Sequence, residues 1–166
     1  MEWIAILVAA AVVTAGVLAI VAVLAAGASD RLRDGADVAQ SALWAAGFSA
    51  REQHLLATLA TVARADLDAG SVEIVLAPPG FGGDGVVVTG SRLEPGRLGV
   101  RVAAGAGTAG RTFATGRTSL AEPRVAVAVP IPGAARLLGA VVALAPAPQQ
   151  RFGGRDVERL EALVGQ

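Results

Sequence analysis

An α+β domain, with an antiparallel sheet flanked by helices and a membrane-spanning helix in front, is the fold that this 166-residue sequence predicts. Three observations carry the expectation. Ile4 to Ala28 runs without a charged residue. After it, branched apolar runs alternate with links rich in Gly and Pro that are too short for parallel crossovers, so neighbouring strands are expected antiparallel. Helical periodicity flanks these strand-like runs, which is the pattern of helices packed on a sheet.

The apolar run is 25 residues long, about 37 Å as a helix against a hydrocarbon core of ~30 Å. Twelve of its residues are Ile, Leu or Val, and Trp3 stands where an interfacial anchor would. Glu2 precedes the span and Arg31 and Arg33 follow it, so the positive-inside tendency places the C-terminal body in the cytoplasm. A cleaved signal peptide is the competing reading, with Ala26–Gly27–Ala28 as the cleavage site. The absence of a basic residue before the run, and the run's length, weigh against it. Residues 1–29 are therefore expected to be the membrane helix and its flanks.

Residues 30–48 read as a helical stalk. Leu32, Ala36, Ala39, Leu43 and Ala46 follow coiled-coil spacing, and a plain surface helix fits equally well. The domain proper is expected over 49–166. Ser49–Ala50–Arg51–Glu52 forms a capping box, and the helix behind it runs to about Ala65 with Leu55, Leu56, Leu59, Val62 and Ala63 as its apolar stripe. Val72–Leu76 and Val86–Thr89 read as a hairpin across the turn-forming Pro78–Gly85 stretch. Leu98–Ala103 is the third strand, and Gly105–Gly116 (GAGTAGRTFATG) leads into a short helix. Val125–Ile131 alternates, with Ala126, Ala128 and Pro130 opposite the branched residues. Leu137–Leu144 is nearly all apolar, as expected of a central strand covered on both faces. A last helix starts near Gly153, with Asp156 at its third position and Phe152 and Val157 as a hydrophobic staple.

This order of elements resembles a GAF domain, a small-molecule-sensing module of signalling proteins. Gly105–Ala106–Gly107–Thr108–Ala109–Gly110–Arg111 with Thr115–Gly116–Arg117 is similar to the family's glycine motif and short helix. Val127–Ile131, Leu138–Leu144, and Phe152 with Asp156–Leu163 are similar to its later strands and closing helix. The resemblance implies a non-enzymatic sensor that signals through dimerisation or a partner protein, and the apolar Ile4–Ala28 run adds a membrane anchor to it. Phe113, Val127 and Val129 would line a pocket between sheet and helices, although they serve equally well as core; Arg111 and Arg117, flanking the short helix, are expected as solvated charges, with one of them facing an anionic ligand as the alternative. The family's bilin-binding cysteine and the lysine of its cyclic-nucleotide motif are both missing, so no cofactor is expected. The connector Thr118–Arg124 leaves little chain to roof a pocket, which supports an alternative: a degenerate domain acting as a membrane-tethered interaction module.

Composition excludes several other classes. The 14 basic residues are all Arg, balanced by 14 acids and scattered singly, which is not a nucleic-acid footprint. Their exclusive use, beside abundant Ala, Gly and Val, fits a GC-rich bacterial genome. With no cysteine and one histidine, His54, the chain has no thiolate nucleophile and no His-based metal cluster of its own. Ser49, Ser71, Ser91 and Ser119 occur outside any G-x-S-x-G elbow. Gly105, Gly107 and Gly110 match G-x-G-x-x-G without the βαβ unit that a dinucleotide site requires. A local anion site at the short helix's N-terminus is compatible with the same residues. Catalytic and metal-binding residues are accordingly expected to be absent.

Overall fold

The structure, a computed structural model, describes residues 32–80 and 82–165. The expected membrane helix Ile4–Ala28 lies outside these. Among the described residues no helix is long and apolar enough to cross a membrane. The chain divides into two compact units, Met1–Asp34 and Gly35–Gln166, and the second holds the sheet and its helices.

Four helices and six strands make up the described chain. Helix α1 covers residues 32–45. It is followed by α2 (Ala50–Asp66), β1 (Ser71–Leu76), β2 (Gly85–Ser91), β3 (Arg101–Val102), α3 (Gly107–Thr115), β4 (Ser119–Leu120), β5 (Ala126–Pro132), β6 (Leu137–Leu144) and α4 (Gly154–Val164). The strands form one sheet in the order β3-β2-β1-β6-β5-β4, with every neighbouring pair antiparallel. The expected α+β class holds. β6 lies in the middle, between β1 and β5, as its continuous apolar run predicts.

The two sheet faces are covered differently. Val72, Ile74 and Leu76 of β1, Val127 and Val129 of β5, and Val141 and Ala143 of β6 pack with Leu56, Ala60 and Ala63 of α2 and Leu160 of α4. Val75, Ala128, Ala140 and Val142 point the other way, where Ala109 and Phe113 of α3 meet them. Period-two alternation in β1 and β5 thus feeds two cores.

The expected boundary at residue 49 moves. Residues 35–48, read from sequence as a stalk, belong to the compact domain. Ala39, Ala42 and Leu43 are buried in the larger core, with Val38, Ala46 and Phe48 packed against it. The expected seam is rotated accordingly: Ala36 and Leu32 are exposed, and Val38 and Ala42 take the inward places. Small residues at 39 and 42 let α1 approach the core closely, which a spacing argument cannot distinguish from a coiled-coil seam.

At the start of α2 the expected capping box is present. Ser49 Oγ accepts from the Glu52 amide, while the Glu52 carboxylate accepts from the Ser49 amide at 2.8 Å and from its hydroxyl at 2.6 Å. These hydrogen bonds, the hydroxyl's first, hold the Glu52 carboxyl below its ordinary pKa. A carboxylate so lowered contributes stability that is present above the ordinary glutamate range and lost as pH falls through the lowered value. Ser49→Ala should lower stability by about 1 kcal/mol in urea unfolding at neutral pH. It should also flatten the acid limb of the stability profile. An unchanged acid limb would mean that the hydroxyl does not govern Glu52.

Candidate functional site

The side chains with the most chemical potential meet on the α3 face. A pocket of about 510 Å³ opens there between the sheet and the N-terminal end of α3. Its floor is apolar, from Val142 and Leu144 of β6 and Ala126 of β5. Its wall is the β3–α3 stretch, from Arg101 to Ala109. Its charges are Glu73, Arg97 and Arg101.

Glu73 lies in β1 on the same side as Val75 and is 5% exposed. An ionised carboxylate so buried requires a partner. Arg97, 24 residues away on the β2–β3 connection, supplies a bidentate one: Nε donates to Oε1 at 2.7 Å and Nη2 to Oε2 at 2.6 Å. The hydrogen bonds to Glu73 hold the Arg97 guanidinium above its ordinary pKa. The Arg97 side chain remains 35% exposed, so one edge of the pair faces the pocket mouth.

The glycine motif builds the wall. Gly105 and Gly107 have φ of +82° and +58°, a region that β-carbon-bearing residues seldom adopt. Gly110 lets α3 approach the preceding loop, since a Cβ there would overlap the Ala103 carbonyl oxygen. Gly105 donates to the Gly110 carbonyl at 2.7 Å and Gly110 to Ala106 at 2.9 Å, which closes the turn. The N-cap is Ala106, with no side-chain hydrogen bond to the helix, and the first turn has no acidic residue. The amides of Gly107, Thr108 and Ala109 therefore begin a helix at the pocket wall without a side-chain cap, at the positive end of its dipole.

The five residues singled out from the sequence do not come together, and Arg117, exposed just past the C-terminal end of α3, does not line the pocket. Phe113 packs into the smaller core, and Gly85 makes room for its ring. Val127 and Val129 lie on the opposite sheet face, in the larger core. Val129 also touches a shallow cleft of about 230 Å³ between β5 and the end of α4. Arg111 reaches away from the pocket, donating to the Leu120 carbonyl at 3.1 Å and so tying α3 to β4. These side chains are core or braces in this fold. Thr112, not singled out beforehand, anchors α3 by donating to the Ala128 carbonyl at 3.3 Å.

Glu73 and Arg97 escape a reading by motif because nothing local links them. The available signal was Glu73 itself, the one charge in a strand otherwise built for burial. His54 is exposed on α2, away from these residues. Among the described residues, no group of three or more His, Asp or Glu could hold a metal ion. The short Thr118–Arg124 connector contributes β4 to the sheet edge, and the pocket opens at the other end of α3.

No protein-family model and no curated protein sequence matches this chain. Solved structures do. The GAF domain of an Acinetobacter phosphoenolpyruvate-protein phosphotransferase superposes with a TM-score of 0.59 at 14% identity, over 77% of this chain and 86% of that one. A GAF sensor protein from Burkholderia vietnamiensis gives a TM-score of 0.58 at 20% identity, over 81% and 86%. The fRMsr of Staphylococcus aureus, in complex with its substrate, gives 0.53 at 22% identity, over 73% and 86%. At these identities the likeness speaks for the fold, and it agrees with the resemblance carried by the glycine motif and the later strands: the domain has the GAF fold.

Proposed function

We propose that this chain is a membrane-anchored sensory module that binds a small anionic molecule in the pocket above the Glu73–Arg97 pair and carries out no catalysis. The pocket's charge carries the reading. Two guanidinium groups, Arg97 and Arg101, line the pocket against the single carboxylate of Glu73, beside the first turn of α3, which no side chain caps. An apolar floor beside a few convergent polar groups is the usual make-up of a small-molecule site. The pocket lining contains no serine, histidine or cysteine, which favours binding over reaction, although the fRMsr likeness joins this fold to a protein that takes a substrate. Ile4–Ala28 would provide the anchor, with Arg31 and Arg33 orienting the domain toward the cytoplasm.

Output would pass through protein contact. Trp44 on α1 is 73% exposed, and Leu55 and Val62, seven residues apart on α2, are 56% and 45% exposed. Large apolar side chains in such positions favour dimerisation or a partner, and they equally serve the second reading, an interaction module without ligand.

The two readings separate in a thermal-shift experiment on the full chain in mild detergent, with phosphate, citrate and nucleotides as probes. A bound anion at a hundredfold excess over its Kd should stabilise the domain by about 2–3 kcal/mol, a shift of several degrees. Arg101→Gln should reduce that shift. If no anion stabilises the wild type while a neutral or cationic molecule does, the charge argument fails; if nothing does, the interaction module is the better account.

A further inference from the structure

Occupancy of the pocket has to be read somewhere else, and the sheet stands between the pocket and the helices of the opposite face. Glu73, Ala126 and Val142 border the pocket, whereas Val72, Val127 and Val141 face the other core. One stretch of chain touches both sides, around the sheet edge: Arg97–Leu98–Gly99. Its first residue grips Glu73. Its last is pinned to β2, with Gly99 donating to the Val87 carbonyl at 2.8 Å and Val87 donating back to Val100 at 3.0 Å.

Between those attachments the backbone lies directly on α1. A Cβ on Gly99 would fall 2.6 Å from Gly35 Cα, and one on Gly35 would overlap the Leu98 carbonyl oxygen. Gly99 also has φ of +78°. Two glycines at a backbone-to-backbone contact leave no flexible side chain to absorb a displacement, so movement of residues 97–99 must be accommodated by the helix. At the other end Arg97 is held by two short charge-assisted bonds and is partly open to the pocket, where an incoming anion would share it with Glu73.

Resting on the ligand reading above, we propose that Arg97–Leu98–Gly99 couples the pocket to α1: an anion that takes up the exposed edge of the Arg97 guanidinium, which Glu73 continues to hold, shifts this segment and loosens its seat on Gly35. α1 is the helix that follows the apolar Ile4–Ala28 run in sequence. Two arrangements of one segment, biased by a ligand at one end, are what such a device requires.

Hydrogen exchange read by mass spectrometry on the full chain tests this. In ligand-free protein, Arg97→Gln should speed exchange at residues 36–42 of α1 by about fivefold or more, with residues 56–63 of α2 unchanged. Arg111→Gln, which removes a brace between α3 and β4 and leaves the segment intact, should leave α1 as in the wild type. Arg97→Lys retains the charge without the bidentate grip and should fall between. The proposal is overturned if Arg97→Gln loosens only residues 92–100, or if α1 and α2 loosen equally. Should Arg97→Gln fail to fold, Arg97→Lys decides alone, and wild-type exchange at 36–42 would overturn the coupling. Phosphate and citrate added to wild type form a separate arm. Protection at 101–110 without any change at 36–42 would sink the coupling and keep the ligand reading. Absence of protection at 101–110 would sink the ligand reading, whereas the ligand-free variants judge the link itself.

Discussion

Gly139→Ala should cost about 3 kcal/mol or more, at the upper end of what overpacking does in a core. Gly139 sits in β6 opposite Leu76 of β1 and Ile131 of β5, so both its neighbours are strands. A Cβ there would overlap the Val75 carbonyl oxygen and lie 2.9 Å from Leu76 Cα and 3.0 Å from the Val75 carbonyl carbon. All three are backbone atoms, which cannot rotate aside. Relief requires β1 and β6 to separate at the middle of the sheet, where their ladder joins both cores. Domains of this size hold only about 5–15 kcal/mol in all, so the variant should show a much lower urea midpoint or fail to accumulate. Gly154→Ala is the control. Gly154 opens α4 with nothing near its Cβ position, and alanine there should be neutral or add about 0.5 kcal/mol. Equal effects from the two variants would show that the clash is not the cause.

Arg97→Ala should destabilise the domain by about 2 kcal/mol and abolish anion binding. Removing one member of a buried ion pair typically costs about 3–5 kcal/mol, because the other charge stays behind unpaired. The figure is reduced here because Arg97 is 35% exposed and water can enter the pocket beside Glu73. Glu73→Leu combined with Arg97→Met should regain most of the lost stability, since an apolar pair of similar bulk leaves no charge to solvate. A double-mutant cycle by urea unfolding, with phosphate and citrate binding measured alongside, separates the two roles. If Arg97→Ala is as stable as wild type, the pair does not hold the β2–β3 connection in place. If the double variant still binds anions, Arg101 and α3 suffice without Arg97.

Some of these features were legible in the chain because their causes are local. Ser49 and Glu52 are three residues apart, and the capping box they form depends on little else. Alternation from Val125 to Ile131 assigns Val127 and Val129 to one face and Ala128 to the other, as found. The uninterrupted apolar character of Leu137–Leu144 identifies a strand with a core on each side. Gly105 and Gly107 mark a backbone that must turn with positive φ before α3. The same patterns misled where they carry two meanings. Ala39 and Leu43 fit a stalk seam as well as a helix packed on its own domain, and only the sheet's other contents decide between them.

The amino-acid order therefore determined the class of the fold, the strand faces and the helix starts, since propensity, capping and periodicity act over a few residues. The tertiary structure decided the pairing of Glu73 with Arg97, the seating of Gly99 on Gly35, and the separation of Phe113 from Val127 and Val129 by the sheet. Each of these joins residues distant in the chain, or on elements whose relative placement no local pattern specifies. The candidate pocket arises from such meetings: a buried carboxylate on one strand, a guanidinium from a loop, and a helix end brought over them by packing.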